Sequence, residues 1–108
     1  MAQVKIYGIK EKLIPVRDHL SEVIDGCVIE ALQFPPDKRA HRFFPMVKEN
    51  MFYPAGRTDA YTIIEITMIE DRTVVARKKL IGLLFDRISE KVGIAQRGLE
   101  ICVQESPS

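Results

Sequence analysis

Arg72 follows directly on the apolar run that ends at Ile69 and stands at the head of a second amphipathic run that Asp71 or Thr73 can open. A helix head carries unpaired backbone N–H groups and the positive end of the helix dipole, so an anion is favoured there before any side chain contributes. A planar guanidinium adds a fork that matches a carboxylate in two hydrogen bonds. The chemistry this spacing suits is the holding of a small carboxylic acid; the competing reading is a surface arginine paired with Glu70 or Asp71. A second candidate group lies in Asp37-Lys38-Arg39-Ala40-His41-Arg42-Phe43-Phe44-Pro45. Arg39, His41 and Arg42 can line the entrance of a small-acid pocket whose apolar wall is Phe43 and Phe44. The same alternation on an edge segment equally suits the cover of a subunit interface. His19 falls among charged neighbours and is expected to be exposed.

Other chemistries find less support. Two cysteines and two histidines without ligand spacing make a poor metal site, and no cofactor motif is present. Cys27, in a helical pattern, and Cys102, in an apolar strand pattern, both read as small core residues. Sixteen Lys+Arg against fifteen Asp+Glu leave a formal net charge of +1. Without a basic stripe there is no source for phosphate-driven affinity, so nucleic acid is not an expected partner. No apolar run approaches the roughly 20 residues that span a bilayer, and the start lacks the apolar core of a secretion signal. A cytoplasmic protein, without a membrane partner, is expected.

Four kinds of element must position these residues. Val4-Lys5-Ile6-Tyr7-Gly8 alternates as a half-buried strand does and stops at a glycine, as before a turn. Leu20, Val23, Ile24, Cys27, Val28, Ala31 and Leu32 recur at three- and four-residue steps, which makes an amphipathic helix with Pro15 in its first turn and Pro35-Pro36 beyond its end. The stretch 37–45 is read as irregular, a short edge strand being the one sheet role that Pro45 allows. Tyr53–Arg57 has turn chemistry. Tyr61–Ile69, rich in β-branched residues, is a central strand. Leu80, Ile81, Leu84, Phe85, Ile88 and Val92 form the stripe of a second helix, closed by Gly93. Leu99–Gln104 is a last strand.

Strand then helix thus recurs about 60 residues on, as in a duplicated unit. The predicted fold is α/β (α+β), one domain over residues 1–108 with pseudo-repeats at about 1–50 and 60–108. Right-handed crossovers put both long helices on one face of a shared sheet. The other face has no cover within the chain, and strands this apolar predict its burial against further subunits.

This order, with Gln3-Val4-Lys5-Ile6-Tyr7-Gly8 at the start, Phe34-Pro35-Pro36-Asp37-Lys38-Arg39 after the first helix and Glu70-Asp71-Arg72-Thr73 before the second, resembles the tautomerase superfamily. The likeness is to its long-chain members of the malonate semialdehyde decarboxylase and cis-3-chloroacrylic acid dehalogenase kind, and covers nearly the whole chain. It implies two β-α-β units in one sheet, a homotrimer whose sheets face one another around an axis, no cofactor, and chemistry carried by an amino-terminal proline. The residue matching that proline is Ala2. The resemblance puts Arg72 on the family's carboxylate-binding arginine, while a second, upstream arginine is replaced by Ile69 or Glu70. Glu105-Ser106-Pro107 is similar to the acidic-x-proline element that places a water-activating glutamate. Lys38 falls where decarboxylase-like members carry aspartate, with Asp37 one place earlier, which disfavours decarboxylation. Relatives continue past the position of Ser108 with a segment containing tryptophan and glycines.

A free α-amino group on Ala2 titrates near pH 8, and nearby arginines lower that, so it can still move a proton. With Met1 retained the nitrogen is an amide and cannot act as a base. Two functions follow from the resemblance: a keto-enol isomerase of a small enolisable carboxylic acid, with Ala2 and Glu105 catalytic and Arg72, Arg39 and His41 binding substrate; or a catalytically silent tautomerase-fold oligomer that binds ligands or acts as a scaffold.

Overall fold

In the computed structural model, residues 2–68 and 73–106 are described. The elements are β1 (Ala2–Ile9), α1 (Lys10–Leu13), a 3-10 turn (Ile14–Val16), α2 (Arg17–Leu32), β2 (His41–Met46), β3 (Thr62–Met68), α3 (Val74–Lys91) and β4 (Leu99–Glu105), with further 3-10 turns at Lys48–Asn50 and Gln96–Gly98. The sheet order is β2-β1-β3-β4. β1 runs parallel to β2, β3 parallel to β4, and β1 antiparallel to β3. Each parallel pair with its crossover helix is one β-α-β unit, and the two units join back to back through β1 and β3.

Strand periodicity decides which side chains meet the helices. Val4, Ile6, Ile64, Ile66 and Met68 are buried in one cluster with Leu20, Ile24, Cys27, Leu80, Leu84 and Ile88, and α2 packs against α3. All seven residues of the first predicted helical stripe are buried. α2 stops where Gln33 turns into the left-handed region (φ 56°), its N–H bonding Ile29 O at 2.8 Å, before the prolines. Gly93 (φ 85°) ends α3 in the same way, donating to Ile88 O at 3.0 Å. Thr73 is the N-cap of α3, its hydroxyl accepting from Ala76 N at 3.0 Å. Replacing Thr73 by Ala is expected to lower stability by about 1 kcal/mol, measured as a shift of the urea midpoint without a change in slope; an unchanged midpoint would show that the cap contributes nothing.

Several expectations need correction. The stretch 37–45 is not irregular throughout: His41–Met46 is strand β2. It pairs parallel with β1 in the register Val4↔His41 to Ile9↔Met46, and its outer edge needs no ladder donor from Pro45. β1 does not end at Gly8 but runs to Ile9. Gly8 answers instead to a close approach, because a Cβ there would lie 3.3 Å from Leu13 Cβ. Pro15 sits in the 3-10 turn that joins α1 to α2 rather than in the first turn of α2. Cys27 is buried, as expected, but Cys102 is exposed, because β4 is an edge strand and alternation turns Cys102 to the face without helices.

That open face is also less apolar than expected. In register it carries Arg42–Lys5–Glu65–Cys102 and Phe44–Tyr7–Ile63–Glu100, so charged residues share it with aromatic and aliphatic ones. Tyr7 stacks on Phe44 with ring centroids 4.8 Å apart and donates to Glu65 Oε1 at 2.8 Å. This hydrogen bond, with burial and the charge of Glu65, raises the Tyr7 phenol above its usual value. Among the described residues no helix is long and apolar enough to cross a membrane.

Candidate functional site

Because β1 and β3 are antiparallel, the start of β1 and the ends of β3 and β4 lie at one end of the sheet. Ala2 pairs with Met68, and Met68 with Glu105. Ala2, Met68 and Glu105 are therefore level on three neighbouring strands, and their side chains share the helix-covered face. Two strand spacings separate Ala2 from Glu105, about 10 Å. Ala2 is 3% exposed and Met68 fully buried, so the methyl of Ala2 is fixed in the core. Val4 N donates to Ala40 O at 2.9 Å. Strand alternation turns the nitrogen of Ala2 to the same side, towards the segment 38–40.

Glu105 is oriented from above by α3. Arg77 Nη1 stands 3.4 Å from Glu105 Oε1, with both side chains partly exposed, and Ser106 N donates to Met68 O at 2.7 Å, which fastens the end of β4 to β3. Arg77 was not singled out from the sequence, yet a signal was present. α3 opens Val74-Val75-Ala76-Arg77-Lys78-Lys79 with no acidic residue in its first turn, the reverse of the charge placement that the helix dipole favours. Cations so placed make the head of α3 attractive to an anion. Arg72, the predicted carboxylate holder, lies outside the described residues; in sequence it belongs to the four-residue link between Met68 and Thr73.

Arg39 and His41 are at the same end of the sheet but on its β2 edge, two strands away from Met68. Their side chains are taken up by the outer flank of α2. His41 Nδ1 is 2.7 Å from Ser21 Oγ; Arg39 Nη1 is 3.4 Å from the same oxygen and Arg39 Nε 3.6 Å from Asp25 Oδ2. Burial pushes the His41 imidazole below its ordinary value, opposed by the charge of Asp25 and reinforced by Arg39. Arg42 points to the open face beside Lys5. His19 is exposed, and its Nε2 meets Lys91 O at 2.9 Å, joining α2 to the end of α3. Clefts lined by described residues lie elsewhere: one of ≈ 340 Å³ on the open face is lined by Tyr7, Met46, Asn50, Met51, Phe52, Ile63 and Glu65. Among the described residues no group of three or more His, Cys, Asp and Glu is arranged to hold a metal ion.

Two back-to-back β-α-β units, with a chain-start residue, an acid and the basic head of a helix at one end of their sheet, define an enzyme-like α+β fold. The family model described as a tautomerase enzyme (Tautomerase_2) matches residues 38–108, and the chain belongs to this tautomerase family. The matched stretch contains Arg72 and Glu105 but not Ala2. Among solved structures, malonate semialdehyde decarboxylase, studied for its decarboxylase and hydratase activities, superposes with a TM-score of 0.87 at 14% identity, covering 97% of this chain and 84% of that one. A wild-type fused 4-OT, described as an asymmetric trimer, gives 0.84 at 15% identity, with 97% and 86% covered. Pt0534, inactivated by 2-oxo-3-pentynoate, gives 0.82 at 19% identity, with 97% and 85% covered. At these identities the likeness establishes a shared fold.

Proposed function

We propose that this protein is a keto-enol isomerase acting on a small enolisable carboxylic acid, assembled as a homotrimer through the open face of its sheet. The observation that carries the reading is the level placement of Ala2, Met68 and Glu105 at one end of the sheet, with Glu105 paired to Arg77 at the basic head of α3. With Met1 removed, the α-amine of Ala2 is the proton carrier: it takes the enol proton from oxygen and, as ammonium, returns a proton to carbon. Arg72 holds the substrate carboxylate and steadies the charge that develops on the enolate. Glu105, fixed by Arg77, supplies a carboxylate that can orient water or the substrate hydroxyl. Arg39 and His41 flank the segment that the nitrogen of Ala2 faces. For the trimer, the support is the half-exposed open face together with solved tautomerase-fold relatives described as trimers.

Arg72→Ala should lower kcat/KM for phenylenolpyruvate ketonisation by roughly 10- to 100-fold, the equivalent of about 1.5–3 kcal/mol for hydrogen bonds to a charged group. An unchanged value would remove Arg72 from the site. A second reading, a catalytically silent oligomer that binds small carboxylates, is favoured by one observation: residue 2 is alanine, which offers a primary amine where the resemblance expects a rigid ring amine. Carboxylate binding without turnover by the form that begins at Ala2 would select it.

A further inference from the structure

Ser21, His41, Arg39 and Asp25 form a cluster that the isomerase chemistry does not use. Ser21 and Asp25 are one turn apart on the outer flank of α2, away from its buried stripe, and His41 and Arg39 reach them from the start of β2. Two groups converge on one oxygen. The Ser21 hydroxyl is 2.7 Å from His41 Nδ1, so with the imidazole proton on Nε2 the hydroxyl donates to a base. The Arg39 guanidinium lies 3.4 Å from the same oxygen, where a positive charge favours the alkoxide and any oxyanion formed beside it. Asp25, 15% exposed, is 3.6 Å from Arg39 and fixes the guanidinium in that position. A hydroxyl with a base on one side and an electrostatic stabiliser on the other is the arrangement that nucleophilic catalysis needs.

We propose that Ser21 is a nucleophile activated by His41, and that this flank accepts acyl groups from small activated carboxylic esters. The Oγ–carbonyl carbon bond forms as the hydroxyl proton passes to Nδ1; the bond from that carbon to the leaving oxygen breaks, and the leaving alcohol takes the proton from Nδ1. Water, deprotonated by the same nitrogen, then cleaves the acyl-serine to the free acid and restores both side chains. Arg39 faces the oxyanion in each half-reaction. The site borders the segment 38–40 that the Ala2 nitrogen faces, but its chemistry uses none of Ala2, Arg72 and Glu105 and does not depend on the isomerase reading.

The test uses the full chain with p-nitrophenyl acetate, followed by p-nitrophenolate release and by mass spectrometry of the acylated peptide. The expected result is a burst of p-nitrophenolate, with an acetyl group on Ser21 when the reaction is acid-quenched ahead of hydrolysis. Ser21→Ala abolishes the acetylation, and His41→Gln slows it by about 100-fold, the lower part of what a general base contributes. The rate should rise with pH as His41 loses its proton, with a midpoint below that of an ordinary imidazole because burial disfavours the charged ring; Asp25 and Arg39 are the charged groups facing it. A purely structural Ser21–His41 bond would give no such profile. Acetylation on lysines or the amino terminus alone, or an Ser21 rate unaffected by His41→Gln in a variant whose circular dichroism matches the parent, would overturn the proposal.

Discussion

Ala2→Pro, prepared with Met1 removed, is expected to raise kcat/KM for phenylenolpyruvate ketonisation by about 100-fold or more over the parent, the scale of a well-placed general base. The first position of a strand tolerates proline, since it does not depend on an interior ladder N–H. The ring also removes the rotational freedom of a primary amine and points the lone pair along the direction that β1 already sets, towards the segment 38–40. Adding Arg72→Ala should remove the gain, because the proton carrier then has no oriented substrate. If Ala2→Pro gives no activity although the chain begins at residue 2, the end of the sheet is not a tautomerase site in this protein.

The largest effect on stability is expected at Leu84. It is fully buried on α3, in the core cluster that both long helices share with the sheet. Leu84→Ala should cost about 2–5 kcal/mol, combining the lost transfer energy with the cavity left behind. That is a large part of the 5–15 kcal/mol typical of a whole domain. Val75→Ala on the same helix, at a position 76% exposed, should stay within about 0.5 kcal/mol. Chemical denaturation of both variants checks the contrast, and similar losses for the two would contradict the packing described.

Much of the architecture was legible because it rests on local periodicity. The α2 stripe appears in the sequence at the spacing at which it is buried, and Gly93 marks the end of α3 where the backbone needs a positive φ. What escaped depends on partners distant in sequence. His41–Met46 becomes a strand because β1, more than 30 residues earlier, offers a parallel edge; Pro45 allows an edge strand locally, but only that distant partner decides for it over an irregular stretch. Cys102 looked like a core residue because its neighbours Ile101 and Val103 are apolar, but only one face of an edge strand meets the helices. At the candidate site, Ala2 and Glu105 were picked out by resemblance, and their level placement emerged from the antiparallel join of β1 to β3. The Ser21–His41 pair is defined by a contact between two elements that residue types and spacing do not signal, and the acid-free head of α3 marks Arg77 as basic without naming Glu105 as its partner.

The central claim is that the α-amine of Ala2 moves the proton, and the most direct measurement compares the same chain with Met1 removed and with Met1 retained, each confirmed by intact mass, in phenylenolpyruvate ketonisation across pH. The form that begins at Ala2 should turn over, with a rate that follows the titration of a single amine, and the Met1 form should match the uncatalysed rate. Equal rates from both forms would contradict the account.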